Sequence, residues 1–290
     1  MTSFNELDNL VLDSLANVFN FQLKNFTFYN SLPTLNLNNN DLTEILDTIP
    51  NGNQFFNTSS QKILFTEIYQ KILETQKKTP VAVFLGLDNF YNEQNNNTSY
   101  TYKPSIEEVH NKIESSGNIK ILISSKNVHL QNNSYELLDD FIKKVATSNF
   151  KISITFNKST SLNITYGNWF YSGAFIYTFQ SPNNWTPSIL SWDDIYNENT
   201  GILHYLNSKI VVVSGIKIHV LITGNFTIET VNLLNDISYP LFFSFHKNAK
   251  DLNISYFLES NKNISILISS KTDDIRLLGT QFSAVKDCMK

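Results

Sequence analysis

Lysines are the residues whose types and spacing suit chemistry most readily in this chain. Lys62, Lys71, Lys77 and Lys78 fall along one candidate helix and Lys143 and Lys144 along another. Ammonium groups so placed can meet phosphate oxygens without reading base sequence. The histidines, His110, His129, His204, His219 and His246, form no HExxH or H-x3-H pair, so no two imidazoles share a helical face for zinc. Asp193-Asp194 beside Trp192 could be a carboxylate pair next to a sugar-stacking ring, but adjacent acids serve more often as a helix cap or a solvated loop. No nucleophile elbow, dinucleotide fingerprint or P-loop string occurs. Cys288 has no histidine near it in sequence and reads as an inert thiol. Trp169, Phe170, Tyr171, Phe175, Tyr177 and Phe179 crowd one segment, yet Lys and Arg are absent from Trp169 to Asn207. A stacking platform for single strands is interleaved with bases, so packing is the better reading. These residues predict a protein that is not an enzyme and needs no cofactor or metal.

Composition narrows the classes further. The chain has 290 residues, of which 41% are hydrophobic and 17% charged, enough to bury a substantial core. Nine Gly and seven Pro exclude collagen-like and Pro/Gly-rich chains. One cysteine excludes an intramolecular disulfide framework. The formal net charge of −4 speaks against a broad basic surface but leaves room for a local basic face. No stretch reaches the roughly 18 apolar residues of a membrane-spanning helix. Met1 to Leu10 carries Glu6 and Asp8 without Lys, the wrong charge for a secretory leader. The expectation is an intracellular, nuclear protein that is not secreted and has no membrane partner. The Asn-x-Ser/Thr sequons follow from a composition rich in Asn, Ser and Thr.

The elements that must carry these residues can be read from periodicity. Leu7, Leu10, Val11, Leu15, Val18 and Phe19 make one apolar stripe and predict a helix over Asn5–Phe19. Phe21–Tyr29 and Gln54–Thr58 read as strands, and a helix capped by Ser59 or Ser60 runs to about Lys78. Pro80 ends it, and the apolar run Val81–Leu87 reads as a strand followed by a polar loop, Asn92–Ser99. Tyr100–Lys103 looks extended, and Pro104-Ser105-Ile106-Glu107-Glu108 has the capping-box spacing of a helix start. Beyond Gly117 the pattern gives a strand at Asn118–Ser125, a helix capped by Ser134, and strands at Phe150–Phe156, Leu162–Tyr166 and Phe170–Phe179. A loop over Ser181–Thr200 follows, then strands at Ile210–Val213 and Ile216–Thr223 and a helix at Asn225–Ser238. Strands at Leu241–Phe245, Leu252–Leu258 and Ile264–Ser269 close the reading.

An order of elements recurs. Asn118–Tyr166 reads Ile-Lys-Ile-Leu-Ile, helix, Lys-Ile-Ser-Ile-Thr-Phe, Leu-Asn-Ile-Thr-Tyr, and Gly215–Tyr256 reads Ile-Lys-Ile-His-Val, helix, Leu-Phe-Phe-Ser-Phe, Leu-Asn-Ile-Ser-Tyr. Gln54–Phe90 and the N-terminal helix with Phe21–Tyr29 are looser versions. Four helices starting near residues 5, 60, 135 and 227, each followed by antiparallel-type strands, resemble the DNA sliding clamp family. That family includes proliferating cell nuclear antigen and the subunits of the heterotrimeric checkpoint clamp. Tyr239-Pro240-Leu241-Phe242-Phe243-Ser244-Phe245 followed by Leu252-Asn253-Ile254-Ser255-Tyr256-Phe257 is similar to the last hairpin of those clamps.

The resemblance implies an α+β, two-domain fold of repeated β-α-β-β-β units with antiparallel sheets. Residues 1–102 would form an N-terminal domain, 103–117 an interdomain connector and 118–290 a C-terminal domain. It implies a non-enzymatic subunit of a ring that encircles duplex DNA in replication, repair or the damage checkpoint. Partners would be other subunits joined head to tail, a clamp loader and client proteins. Lys62, Lys71, Lys77, Lys78, Lys143 and Lys144 would meet DNA weakly and without sequence preference, and Ser105, Ile106, Val109 and Ile113 would mark a partner-binding connector. The helices at residues 5 and 227 carry acids and no base, which suits a hetero-ring whose other subunits supply charge. The alternative is a β-rich self-assembling structural or binding protein without nucleic-acid contact.

Overall fold

The computed structural model describes residues 5–29, 32, 34–35, 39–50, 55–56, 62–96, 100–126, 148–186, 190–197, 200–237 and 252–288. Helix α1 (Asn5–Phe19) forms over the expected residues, but its buried face is turned from the expected stripe: Val11 and Leu15 are buried with Leu12 and Ala16, whereas Leu10 and Val18 are exposed. The chain then makes a 3-10 turn at Leu23–Asn25 before β1 (Phe26–Tyr29), so only the second half of the expected strand is extended. Helix α2 (Asn39–Asp47), β2 (Phe55–Phe56) and α3 (Phe65–Glu74) follow. The expected helix through Lys78 is thus shorter at both ends.

Two expected strands are helices. Val81–Leu87 opens α4 (Val81–Asn96), which also takes in most of the expected polar loop. A continuous apolar run does not distinguish a buried strand from a helix by period alone. Here Pro80 starts the helix rather than merely ending the one before, its carbonyl accepting from the Phe84 N–H at 2.9 Å. Val83, Gly86 and Phe90, at helical spacing, are the buried positions. Likewise Phe170–Phe179 becomes α6 (Ser172–Gln180), whose Ala174, Phe175 and Thr178 face inward. The helices cross closely because Gly86 carries no side chain: a Cβ there would stand 2.7 Å from the Ala174 Cβ.

Between them lie β3 (Tyr102–Lys103) and α5 (Ile106–Glu114), then β4 (Ile119–Lys126) and β5 (Asn149–Asn163). The short β6 (Thr165–Tyr166) pairs with β3. The expected loop over Ser181–Thr200 contains a 3-10 turn and α7 (Trp192–Tyr196). The strands expected at Ile210–Val213 and Ile216–Thr223 are one, β7 (Tyr205–Thr223). Helix α8 (Ile228–Ile237), β8 (Asn253–Leu258) and β9 (Ile264–Ser269) match their expected places. Strand β10 (Ile275–Ala284) and the terminal turn α9 (Val285–Cys288) were not expected. The expected helix after Ser134, with Lys143 and Lys144, and the strand Leu241–Phe245 lie outside the described residues.

Eight strands form one sheet in the order β2-β1-β10-β7-β5-β4, with β9 on the second half of β7 and β8 on β9. Every pair is antiparallel except β1 with β2. The fold is therefore mixed α/β with antiparallel pairing, in keeping with an α+β class. Strands from before residue 103 (β1, β2) and from after residue 117 share this sheet.

Alternation along β7 puts a separate apolar cluster on each face of the sheet. Val211 and Val213 join α1, β4, β5, β9 and α8 in one cluster. Ile210 and Val212 join the helices α2 to α7 in the other. At Gly215 the alternation resets, so that Ile216, Ile218, Val220 and Ile222 face the same cluster as Val213. Gly215 makes this possible with φ +58, a left-handed conformation that costs a residue with Cβ, and a Cβ there would meet the Asn157 side chain. Beyond this point, among the described residues, helices cover one face of the sheet only.

Candidate functional site

The phosphate-binding lysines expected on one helix do not act as one row. Helix α3 spans only Phe65–Glu74, so Lys62 precedes it and Lys77 and Lys78 follow it. Lys62 is ion-paired with Glu44. Lys77 Nζ donates to the Asn183 carbonyl at 3.2 Å, and the Lys78 backbone N–H donates to Asn184 Oδ1 at 3.1 Å. Lys71 is exposed on the helix itself. The apolar stripe of α3 joins the cluster of α2 to α7, whereas α1 and α8 cover the opposite face. Lys143 and Lys144 lie outside the described residues.

The connector residues take structural roles. Ser105 Oγ accepts from the Glu108 N–H at 3.2 Å while Glu108 accepts from the Ser105 N–H at 2.8 Å, completing the capping box. That backbone hydrogen bond, first among its causes, holds the Glu108 carboxyl below its ordinary range. Ile106, Val109 and Ile113 are buried and leave a partner no apolar surface to grasp on this helix. Between α5 and the end of β5, an open polar bowl of about 670 Å³ is lined by Lys103, Lys112, Asn111 and Asn163. Lys103 there pairs with Glu108 at 3.4 Å.

The remaining sequence candidates are also located. Asp194 caps α7 through Ser191, accepting from its N–H at 2.7 Å and its hydroxyl at 2.8 Å, so the Asp193-Asp194 pair builds a helix end. The aromatic segment packs: Trp169 is fully buried, with Nε1 donating to the Thr101 carbonyl at 2.8 Å. A cavity of about 170 Å³ lies among Phe179, Trp192, Tyr196, His204, Tyr205 and Lys286. His219 Nε2 lies 2.6 Å from Ser265 Oγ, and the cross-strand neighbours of this pair include no carboxylate. His129 and His246 lie outside the described residues, and among the described residues no His/Cys/Asp/Glu group could hold a metal. No described helix is long and apolar enough to cross a membrane.

A surface absent from the sequence expectations, though periodicity encodes it, is the face of the half-sheet β4-β5-β7-β9-β8 that no described helix covers. Three full cross-strand rows form its centre: Lys120, Thr155, Lys217, Ser269, Asn253; Leu122, Ser153, His219, Leu267, Ser255; and Ser124, Lys151, Leu221, Ser265, Phe257. These three hold no Asp or Glu; the next row in register, Lys126, Asn149, Thr223 and Asn263, ends on the exposed Glu259 at the β8-β9 turn. Leu122 is 71% exposed, Phe257 48% and Leu267 43%. The signal lay in strings such as Ile119-Lys120-Ile121-Leu122-Ile123, where period-two alternation places every second residue on the outer face. At its two ends β4 pairs only with β5 and β8 only with β9 among the described residues, so each has one ladder edge without a strand. The chain matches no known protein-family model and no curated protein sequence.

Proposed function

We propose that this chain is a non-enzymatic subunit of a clamp-type ring, joined head to tail with other subunits through edge strands and holding duplex DNA in replication, repair or the damage checkpoint. The observation that carries the proposal is the half-sheet β4-β5-β7-β9-β8. Among the described residues it has helices on one face and none on the other, and a strand paired on one side only at each end. Unpaired backbone N–H and C=O groups on an edge strand are a template for another chain, and pairing of edges front to back builds a closed ring or an open filament. On this reading the chain works in the nucleus with a clamp loader and client proteins, and contacts DNA weakly on its own.

A second reading, a self-assembling or binding protein without nucleic-acid contact, draws on a different observation. Lys62 is committed to Glu44 and Lys77 to Asn183, and α3 lies across the sheet from α1 and α8, so these helices do not present one common lining. Solution mass combined with hydrogen exchange separates the two. For the clamp, mass rises to a closed multiple of the 33.2 kDa chain, alone or with partner subunits, β4 and β8 amides gain protection together, and the assembly is retained on circular but not linear duplex. Assembly without retention on circular DNA favours the second reading. A monomer under every condition, with both edges unprotected, overturns the clamp and the self-assembling form of the second reading.

A further inference from the structure

We infer that the bare face of the half-sheet is a docking surface for an acidic amphipathic segment of a partner protein. The face is divided in two, with one exception: Leu122 on β4 stands 71% exposed among the lysines. Lys120, Lys151 and Lys217 occupy the β4-β5-β7 side, whereas Leu221, Leu267 and Phe257 cluster on the β7-β9-β8 side, Leu221 and Phe257 flanking Ser265 in one row. Five strands at about 4.8 Å spacing make the face roughly 19 Å wide, and three rows extend it about 13 Å along the strands. A helix of about 10–12 Å diameter seated along the boundary would lay its apolar stripe on Leu267 and Phe257 and turn its flanking acids to the lysines.

Charge complementarity selects this occupant. The three central rows contain three lysines and no acid, and the one acid in register beyond them, Glu259, stands at the β8 corner away from the lysines. A neutral segment gains only the apolar side and a basic one is repelled by the lysines, whereas an acidic one meets complementary potential. A nucleic-acid strand would satisfy the lysines and leave the leucines uncovered. Phe257 is the one benzenoid or indole ring on the face, and strand-binding sheets rely on several rings for stacking. An amphipathic acidic helix satisfies both halves at once, the helix-in-groove mode with electrostatic steering added. The inference does not depend on ring assembly or on DNA.

The test uses the full chain and a designed probe: a 16-residue fluorescent peptide with Leu at i, i+3, i+4 and i+7 spacing flanked by Glu. A scrambled peptide of equal composition and a 20-nucleotide oligo-dT are the comparators. Fluorescence anisotropy should show the patterned peptide binding at least tenfold more tightly than the scrambled one. Lys120→Glu/Lys151→Glu/Lys217→Glu should weaken it at least tenfold, and Leu267→Ser/Phe257→Ser severalfold, with unchanged circular dichroism and melting. Lys120→Gln/Lys151→Gln/Lys217→Gln is a milder variant that keeps the test open if the charge reversal impairs folding. Equal binding of both peptides, indifference to the leucine and phenylalanine changes, or displacement by oligo-dT through the same lysines would each overturn the inference. The last outcome would assign the face to nucleic acid.

Discussion

Asp47 shows how much one buried polar side chain can organise. It ends α2 and is 6% exposed. Its carboxylate accepts from the Thr66 N–H at 2.8 Å, the Thr66 hydroxyl at 2.6 Å and the Tyr102 hydroxyl at 2.5 Å, so it ties α2, α3 and β3 together. Burial raises its pKa against these hydrogen bonds, which pull the other way. A folded-state pKa above the unfolded value means that the folded chain holds the proton more tightly. The associated stability is present below the unfolded-state pKa and is lost as pH rises through the raised folded value. Thermal unfolding should therefore show wild type gaining stability relative to Asp47→Asn as pH falls from neutral through the carboxylate range; a constant difference would mean that Asp47 is solvated. Asp47→Ala should cost about 2–4 kcal/mol, because it strands the buried Thr66 and Tyr102 donors. Arg276, the only arginine and fully buried, donates to the Leu32 carbonyl and to Asp274, both at 3.1 Å. Arg276→Lys keeps the charge but loses the fork, and denaturant titration should register a loss of about 2 kcal/mol or more.

At the scale of elements, α4 and α6 cross in close contact at Gly86. Gly86→Val would force branched carbons into the Ala174 Cβ and Leu73, where even a bare Cβ stands 2.7 and 3.0 Å away. Overpacking of this kind costs about 1–3 kcal/mol, so the melting temperature should fall by several degrees, with partial recovery in Gly86→Val/Ala174→Gly. An unchanged melt would show that the helices separate easily. This crossing also explains why two segments with strand-like sequence are helices. Val81–Leu87 and Phe170–Phe179 are rich in β-branched and aromatic residues, whose strand preference is weak beside tertiary packing, and their few inward positions follow helical spacing only once the partner helix is known. By contrast α1, α5 and β4 were legible because each signal is local: an apolar stripe, a capping box, a two-residue alternation. Strand β10 had no such signal. It lies between β1 and β7, carries Arg276 and Gly279, and shifts register at two places, so its pattern is broken by residues that only the assembled sheet explains. The open face was legible in principle, since Lys120, Lys151 and Lys217 sit in clean alternation.

For the whole molecule, the two lysine sets make the DNA proposal and the docking inference separable. With 22 basic against 26 acidic residues, the chain repels a polyanion at long range, so retention on DNA must come from a few local contacts within the screening distance of about 8–10 Å. Lys71, Lys77 and Lys78 are exposed and close in sequence. Lys77 and Lys78 also hold the turn at Asn183-Asn184, largely through backbone groups that survive truncation, such as the Lys77 N–H on the Asn184 carbonyl and the Lys78 N–H on Asn184 Oδ1. Lys71→Ala/Lys77→Ala/Lys78→Ala should therefore fold normally, with each exposed site shifting stability by about 0.5 kcal/mol or less. In the clamp reading this triple variant loses retention on circular duplex and flattens its salt dependence, by about 0.9 in logarithmic slope for each phosphate contact removed. The open-face triple variant Lys120→Gln/Lys151→Gln/Lys217→Gln should leave that curve unchanged while weakening the acidic peptide. Retention against salt for wild type and both variants is the measurement. Identical curves for all three would reduce Lys71, Lys77 and Lys78 to a solvated surface. A loss confined to the open-face variant would move any nucleic-acid contact from the helices to the sheet.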